Sequence, residues 1–135
     1  MTHTHPRTDE LCVYWIPADT DVPMQFKSLG NDLRALNDLV GGYFEIVRTQ
    51  NIPELPCGCR MVMVVNEEGL LRGLPDNPRA SIYYPHGAGI VGDAFLAGEG
   101  MVDGEPDFFS LPQSISQWEG PGNPMTVNKQ PWQRD

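Results

Sequence analysis

Four side chains that lie close together in the second half of the sequence are suited to binding a nucleotide. They are Arg79, Tyr83, Tyr84 and His86. The arginine would supply a cation for a phosphate group, and the tyrosines would supply rings for stacking. His86 and Asp93 could also act as an acid–base pair, because a carboxylate can orient an imidazole ring. No nucleophile at a strained turn and no paired carboxylates accompany them in sequence, so a small hydrolase is the least favoured hypothesis.

The sequence Cys57-Gly58-Cys59 could contribute to a metal site. Two thiolates separated by a glycine can turn toward one zinc ion, but a structural zinc site needs four ligands. The chain has three cysteines, so a second cysteine pair is absent. We therefore interpret this segment as a loop that enters a strand, with metal binding by Cys57 and Cys59 as the weaker alternative, and we expect no cofactor.

The acidic residues of the chain are unevenly distributed. Its formal net charge is −9, and no lysine or arginine occurs between Arg79 and Lys129. Binding a nucleic acid directly would require clustered basic residues, so a protein partner is favoured, and a basic protein is one that the negative charge could attract. The segment without basic residues predicts a negative surface that either solubilises the domain or docks on that partner through Asp103, Glu105 and Asp107.

Trp132 lies in a polar, glycine- and proline-rich segment near the end of the chain. Tryptophan is over-represented among the residues that dominate binding energy at interfaces, so Trp132 is a further candidate for partner binding.

One amphipathic helix and the segments around it must position these residues. Leu29, Leu33, Leu36 and Val40 follow the spacing of one helical face, which predicts a helix over Asn31–Val40. Ser28 or Asn31 would cap its start, and a glycine pair, Gly41-Gly42, would end it.

Aromatic and β-branched runs predict the strands of a sheet. We expect strands at Leu11–Ile16, Tyr43–Val47, Arg60–Val65 and Ile90–Ala97, with a short return strand at Leu70–Arg72. The predicted loops include 18–26, before the helix, and a turn at Asn66–Gly69. Asn77 would cap a short second helix from Pro78 to about Tyr84. Gly92 inside its strand suggests a bulge or a close approach of another backbone or a ligand.

These elements together predict an α+β fold. We expect one domain at 11–112, with a mixed or antiparallel sheet of about five strands packed by one main helix. Residues 1–10 would form a flexible N-terminus and 113–135 an irregular tail. An exposed edge strand could pair two copies into a homodimer.

Several motifs resemble those of a family of small uncharacterised domains encoded by actinobacteria and by their phages and plasmids. In chain order they are Val40–Val47, Asn66–Gly69, Gly73–Ala80 and Ile90–Ala94, and the resemblance covers roughly residues 10 to 112. The family has no assigned activity, so the resemblance implies a fold and an origin but no catalytic residues. Pro78 stands where the family usually has a basic residue.

These observations favour a non-enzymatic accessory or interaction protein of a phage or mobile element. It would act in the bacterial host cytoplasm and modulate a host protein through its acidic face. A protein that binds or sequesters a small nucleotide signal is the alternative. No apolar run approaches the roughly 18 residues that a membrane-spanning helix needs, so no membrane association is expected.

Overall fold

The computed structural model describes residues 9–49, 60–84, 87 and 89–112, which form a six-stranded sheet and two helices. The elements are β1 Glu10–Ile16, β2 Gln25–Gly30, α1 Leu33–Val40, β3 Phe44–Arg48, β4 Arg60–Asn66, α2 Pro78–Ser81, β5 Ala94–Val102 and β6 Glu105–Phe109. The predicted α+β class is confirmed. Within the described residues, neither helix has the length and apolarity needed to cross a bilayer.

Every strand pairing in the sheet is antiparallel, and the strand order is β2-β1-β5-β4-β3. The long β5 pairs with β1 through Ala94–Leu96 and with β6 through Gly98–Val102. In the described part of the chain, the pairing of β5 with β4 ends at Glu99, whose partner is Arg60. Beyond Glu99, β5 pairs with β6. The β5–β6 hairpin therefore extends past the end of β4.

Both faces of the sheet are buried, which explains the nearly continuous apolar sequence of β4 and β5. On one face, Leu36 and Val40 of α1 pack against the sheet. On the other face, Ala80, Tyr83 and Ile90 lie over the sheet and contribute to a second apolar cluster. The residues that follow α2 are thus as much a part of the core as the main helix.

The boundaries predicted for α1 are wrong at its start. The helix begins at Leu33, and Asp32 caps it by accepting a hydrogen bond from the backbone N–H of Ala35 at 2.9 Å. Leu29, predicted on the helix face, lies in β2, and Leu33 is exposed. The apolar spacing was misleading because it continued from a strand into a helix. Gly41 ends α1 as predicted, in the left-handed conformation with φ of 78°.

The strand predictions need four corrections. β2 replaces the end of the predicted loop at 18–26, and β6 was not predicted. The return strand at Leu70–Arg72 does not form, because these residues continue a turn in which Leu70 and Leu71 are 68% and 89% exposed. β5 begins at Ala94 rather than Ile90, since Gly92 just before it adopts a φ of +76°.

Asn77 connects three segments that are distant in sequence. Its fully buried Nδ2 donates to the carbonyl oxygens of Ile16 at 2.8 Å and Gly92 at 2.9 Å. Its Oδ1 accepts from the backbone N–H of Ala80 at 3.1 Å, so the predicted cap of α2 is confirmed although the helix is shorter than expected. At Gly92 another backbone segment does approach closely, since the N–H of Gly92 donates to the carbonyl oxygen of Pro75 at 2.7 Å. A Cβ there would also lie 2.7 Å from a side-chain carbon of Leu74.

We predict that Asn77→Ala destabilises the fold by about 3 kcal/mol or more, because each buried group left without a hydrogen-bond partner costs roughly 1–3 kcal/mol. The free energy of unfolding in urea measures this effect. Asp76→Asn at the neighbouring exposed position is the control and should change stability by less than about 0.5 kcal/mol. Equal stabilities for the two variants would contradict the connecting role of Asn77.

Candidate functional site

Arg79, the predicted cation of a nucleotide site, is only 5% exposed. Its Nη2 donates to the carbonyl oxygens of Pro17 at 2.7 Å, Asp19 at 3.0 Å and Val22 at 2.8 Å. Burial lowers the pKa of Arg79 from its ordinary value, and the charge of Asp19 opposes that shift. The guanidinium thus holds the connection between β1 and β2 against α2.

The two tyrosines that follow Arg79 occupy different environments. Tyr83 is fully buried, and its hydroxyl has no hydrogen-bond partner among the described residues. Tyr84 is half-buried and lines a concave surface. His86 lies outside the described residues, so its pairing with Asp93 stays a prediction. Nucleotide binding by Arg79, Tyr83, Tyr84 and His86 also stays a prediction. The Oδ1 of Asp93 accepts a hydrogen bond from the backbone N–H of Ala18 at 2.9 Å.

The concave surface at Tyr84 is a groove of about 250 Å³, which we name the edge groove. It opens between the edge strand β3, the end of β4 with the turn that follows, and the chain after α2. The lining combines apolar and acidic side chains with two glycines, Gly69 and Gly89. The side chains are Glu45, Val47, Val65, Asn66, Glu67, Leu70, Tyr84, Ile90 and Val91. Sites for drug-sized ligands have volumes of about 300–1,000 Å³, so the edge groove suits a smaller group.

The turn after β4 fixes the acidic wall of the edge groove. Asn66 is buried, its Nδ2 donates to the carbonyl oxygen of Val40 at 3.2 Å, and its Oδ1 accepts from the N–H of Glu68 at 2.8 Å. The N–H of Glu67 donates to the carbonyl oxygen of Tyr43 at 2.8 Å. The predicted turn is confirmed, since the N–H of Gly69 lies 3.2 Å from the carbonyl oxygen of Asn66.

A second cleft, of about 310 Å³, lies beside the C-terminal end of α1. Its lining includes Asp38, Leu74 and Asp93. Because the Asp93 carboxylate already accepts the bond from Ala18, this cleft offers fewer uncommitted polar groups than the edge groove does.

The acidic residues predicted to bind a partner lie on the hairpin between β5 and β6. Asp103 and Gly104 form a two-residue turn with φ of 51° and 83°, which matches a type I′ turn. Asp103 and Glu105 are exposed. Asp107 is half-buried, and its Oδ1 accepts from the N–H of Phe108 at 2.7 Å. We name Asp103, Glu105 and Asp107 the acidic hairpin.

Glu99, which the sequence assigns to the same acidic surface, is used differently. It is 8% exposed, and its Oε1 accepts hydrogen bonds from Arg48 Nη1 and Arg60 Nε, both at 2.9 Å. This carboxylate therefore joins β3 and β4 to β5 rather than facing a partner.

The remaining predicted sites lie largely outside the described residues. Cys57, Cys59 and Trp132 belong to that part of the chain. Among the described residues, no group of three or more histidine, cysteine, aspartate or glutamate side chains is close enough to hold a metal ion.

Comparison with known proteins identifies a domain family and one solved structure of similar fold. A family model described as "Domain of unknown function (DUF3846)" matches residues 13–120. A structure titled "Crystal structure of small RNA methyltransferase HEN1" is 19% identical with a TM-score of 0.58, and the match covers 83% of this chain but 16% of that protein's chain. At this identity the likeness concerns the fold alone. A search of curated proteins gives no match.

The buried hydroxyl of Tyr83 leads to a prediction about pH. Burial raises the pKa of Tyr83, and Tyr14 nearby adds to the shift, so the folded state keeps the phenol neutral. An unfolded tyrosine ionises at about pH 10, whereas the buried Tyr83 stays neutral. Ionisation of Tyr83 in the unfolded chain therefore lowers the stability of the fold as pH rises above that value, and it has no effect at lower pH. We expect Tyr83→Phe to be more stable by about 1 kcal/mol at neutral pH, since it removes a buried hydroxyl.

Urea unfolding at neutral pH and between about pH 9 and about pH 11 measures both effects. Stability of the Tyr83→Phe variant should fall less over the alkaline range than that of the unmodified chain. Tyr43→Phe is the control because Tyr43 is exposed. A Tyr83→Phe variant that is less stable at neutral pH would contradict the absence of a partner for the hydroxyl.

Proposed function

We propose that this chain, which belongs to the DUF3846 family, is a non-enzymatic interaction protein that binds a basic protein partner through its acidic hairpin. The observation that carries the proposal is the exposure of Asp103 and Glu105 at a two-residue turn that matches type I′. Among the described residues, the hairpin extends beyond the pairing of Arg60 with Glu99, so β5 and β6 can present their side chains away from the described part of the sheet.

The positions of the basic residues support this proposal. Most lysines and arginines among the described residues either bind a carboxylate, lie over an aromatic ring or are buried. Arg48 and Arg60 bind Glu99, Arg72 binds Glu68 at 3.4 Å, Lys27 lies 4.3 Å from the ring centre of Trp15, and Arg79 is buried. Arg34 lies exposed on α1. The acidic hairpin therefore keeps a negative field that would attract a basic surface and accelerate encounter.

We further propose that the protein is an accessory protein of a phage or mobile element that modulates a host protein in the bacterial cytoplasm. This part of the proposal is supported by the resemblance of its motifs to actinobacterial and phage domains. Asn77 and Arg79, which lie in the Gly73–Ala80 motif, make buried contacts within the fold. The shared motif thus describes the scaffold, and the acidic hairpin outside it is free to suit a particular partner.

We predict that Asp103→Asn/Glu105→Gln/Asp107→Asn weakens capture of the partner about tenfold, because three charge contacts, two exposed and one half-buried, contribute roughly 0.2–1 kcal/mol each. Asparagine tolerates the positive φ at position 103, and an amide oxygen at position 107 can still accept the Phe108 bond, so the hairpin should keep its shape. Immobilised full-length chain is exposed to bacterial host lysate, eluted by steps of salt, and the eluted proteins are identified by mass spectrometry.

The matched control, Asp9→Asn/Asp21→Asn/Asp38→Asn, removes three negative charges from other exposed positions. It should capture the same basic protein at nearly the level of the unmodified chain. If the hairpin variant captures as much as the control does, the acidic hairpin is not the docking surface.

A further inference from the structure

We propose that the edge of β3 and the edge groove bind an extended basic peptide of a partner protein, with one lysine or arginine side chain in the groove near Glu45 and Glu67. This site differs from the acidic hairpin. The edge groove is at the Asn66 end of β4, whereas the hairpin extends beyond the Arg60 end. The inference therefore does not rest on the proposed function, and each can fail without the other.

The first argument is that β3 is an edge strand. In the described part of the chain it pairs with β4 on one side, and it has no strand on the other. An edge strand presents N–H and C=O groups to which an extended peptide can add as a further strand. Glu45 and Val47 alternate along β3 and both line the edge groove. Alternate side chains of an added strand would lie beside them, on the same face of the sheet.

The second argument is the size and chemistry of the edge groove. A volume of about 250 Å³ suits one side chain rather than a drug-sized ligand. Val47, Val65 and Ile90 give it an apolar lining, against which the methylene stem of a lysine or arginine can pack. Glu45 and Glu67 would receive the charged head through charge-assisted hydrogen bonds.

The third argument is that the two carboxylates are not used within the described part of the fold. The ion pairs there involve Glu99 and Glu68 instead. Glu45 and Glu67 are exposed, so a bound cation would meet them without displacing an ion pair between described residues. Charge complementarity therefore selects a basic occupant over an acidic or a neutral one.

The fourth argument is an exposed apolar side chain in the lining. Leu70 lines the edge groove yet remains 68% exposed, and it is held there by the turn that Asn66 fixes. A peptide lying along β3 would cover part of this surface and gain apolar contact. The occupant that suits all four observations is an extended peptide with basic residues at alternate positions, because their charged heads can meet the carboxylates while their methylene stems cover Leu70 on the same face.

The test uses the full-length chain and a labelled six-residue peptide of alternating lysine and valine, with binding measured by fluorescence anisotropy. Glu45→Gln/Glu67→Gln should bind this peptide about tenfold more weakly than the unmodified chain, as expected for two lost charge contacts. Asp9→Asn/Asp21→Asn loses two negative charges at exposed positions outside both the edge groove and the acidic hairpin, and it should bind within about twofold of the unmodified chain. Matching thermal unfolding of the two variants establishes that both are folded.

A second peptide tests strand addition directly. Methylation of alternate backbone nitrogens along one edge of the peptide removes its donors without changing its charge, and this peptide should bind at least about tenfold more weakly. Three results would overturn the proposal. The first is equal weakening by the two variants, which would indicate attraction by net charge alone. The second is unchanged binding of the methylated peptide. The third is a stable dimer in native mass spectrometry that binds no peptide.

Discussion

The hydrogen bonds of the buried Asn77 amide fix the layer that covers one face of the sheet. The amide reaches carbonyl groups at the end of β1 and just before β5, and it also caps α2. Leaving such groups buried and unpaired would cost roughly 1–3 kcal/mol each, so the three segments are held at one spacing. That spacing sets the path of the chain after α2. Tyr83 is consequently packed into the core, and Tyr84 is left at the wall of the edge groove.

Arg79 extends this constraint to the connection between β1 and β2. Three backbone carbonyl oxygens lie within 3.0 Å of its Nη2, and a charged donor makes stronger hydrogen bonds than a neutral one. A leucine or methionine of similar size could fill the space but could not satisfy the carbonyls. The residue types that resemble a nucleotide site in sequence are thus also those that a small protein needs to join a loop to a short helix. Burial distinguishes the two roles, and burial depends on contacts with residues about 60 positions away in the chain.

The features that the sequence predicted well depend on neighbouring residues. Gly41 ends α1 and Asn77 caps α2 because each effect acts within one helical turn. β6 was missed although Asp103-Gly104 is a strong hairpin signal, since the acidic residues around that pair were interpreted only as surface charge. β2 was missed because Lys27 and Ser28 interrupt its apolar character, and its position comes from pairing with β1. The edge groove could not be predicted at all, because its walls come from three segments that meet only in the folded chain.

The distribution of charge follows from the same packing. Glu99 is nearly buried in the sheet and binds Arg48 and Arg60, so two of the basic side chains are paired where β3 ends and β4 begins. Other acidic side chains lie toward the two ends of β4, with Glu45 and Glu67 at the edge groove and Asp103 and Glu105 exposed on the acidic hairpin. Diffuse negative charge accelerates encounter with any basic surface, but it discriminates poorly among them. Specificity requires a shape that only some partners fit. Of the two acidic surfaces, the edge groove offers such a shape, because it combines carboxylates with a concave apolar lining and with the edge of β3.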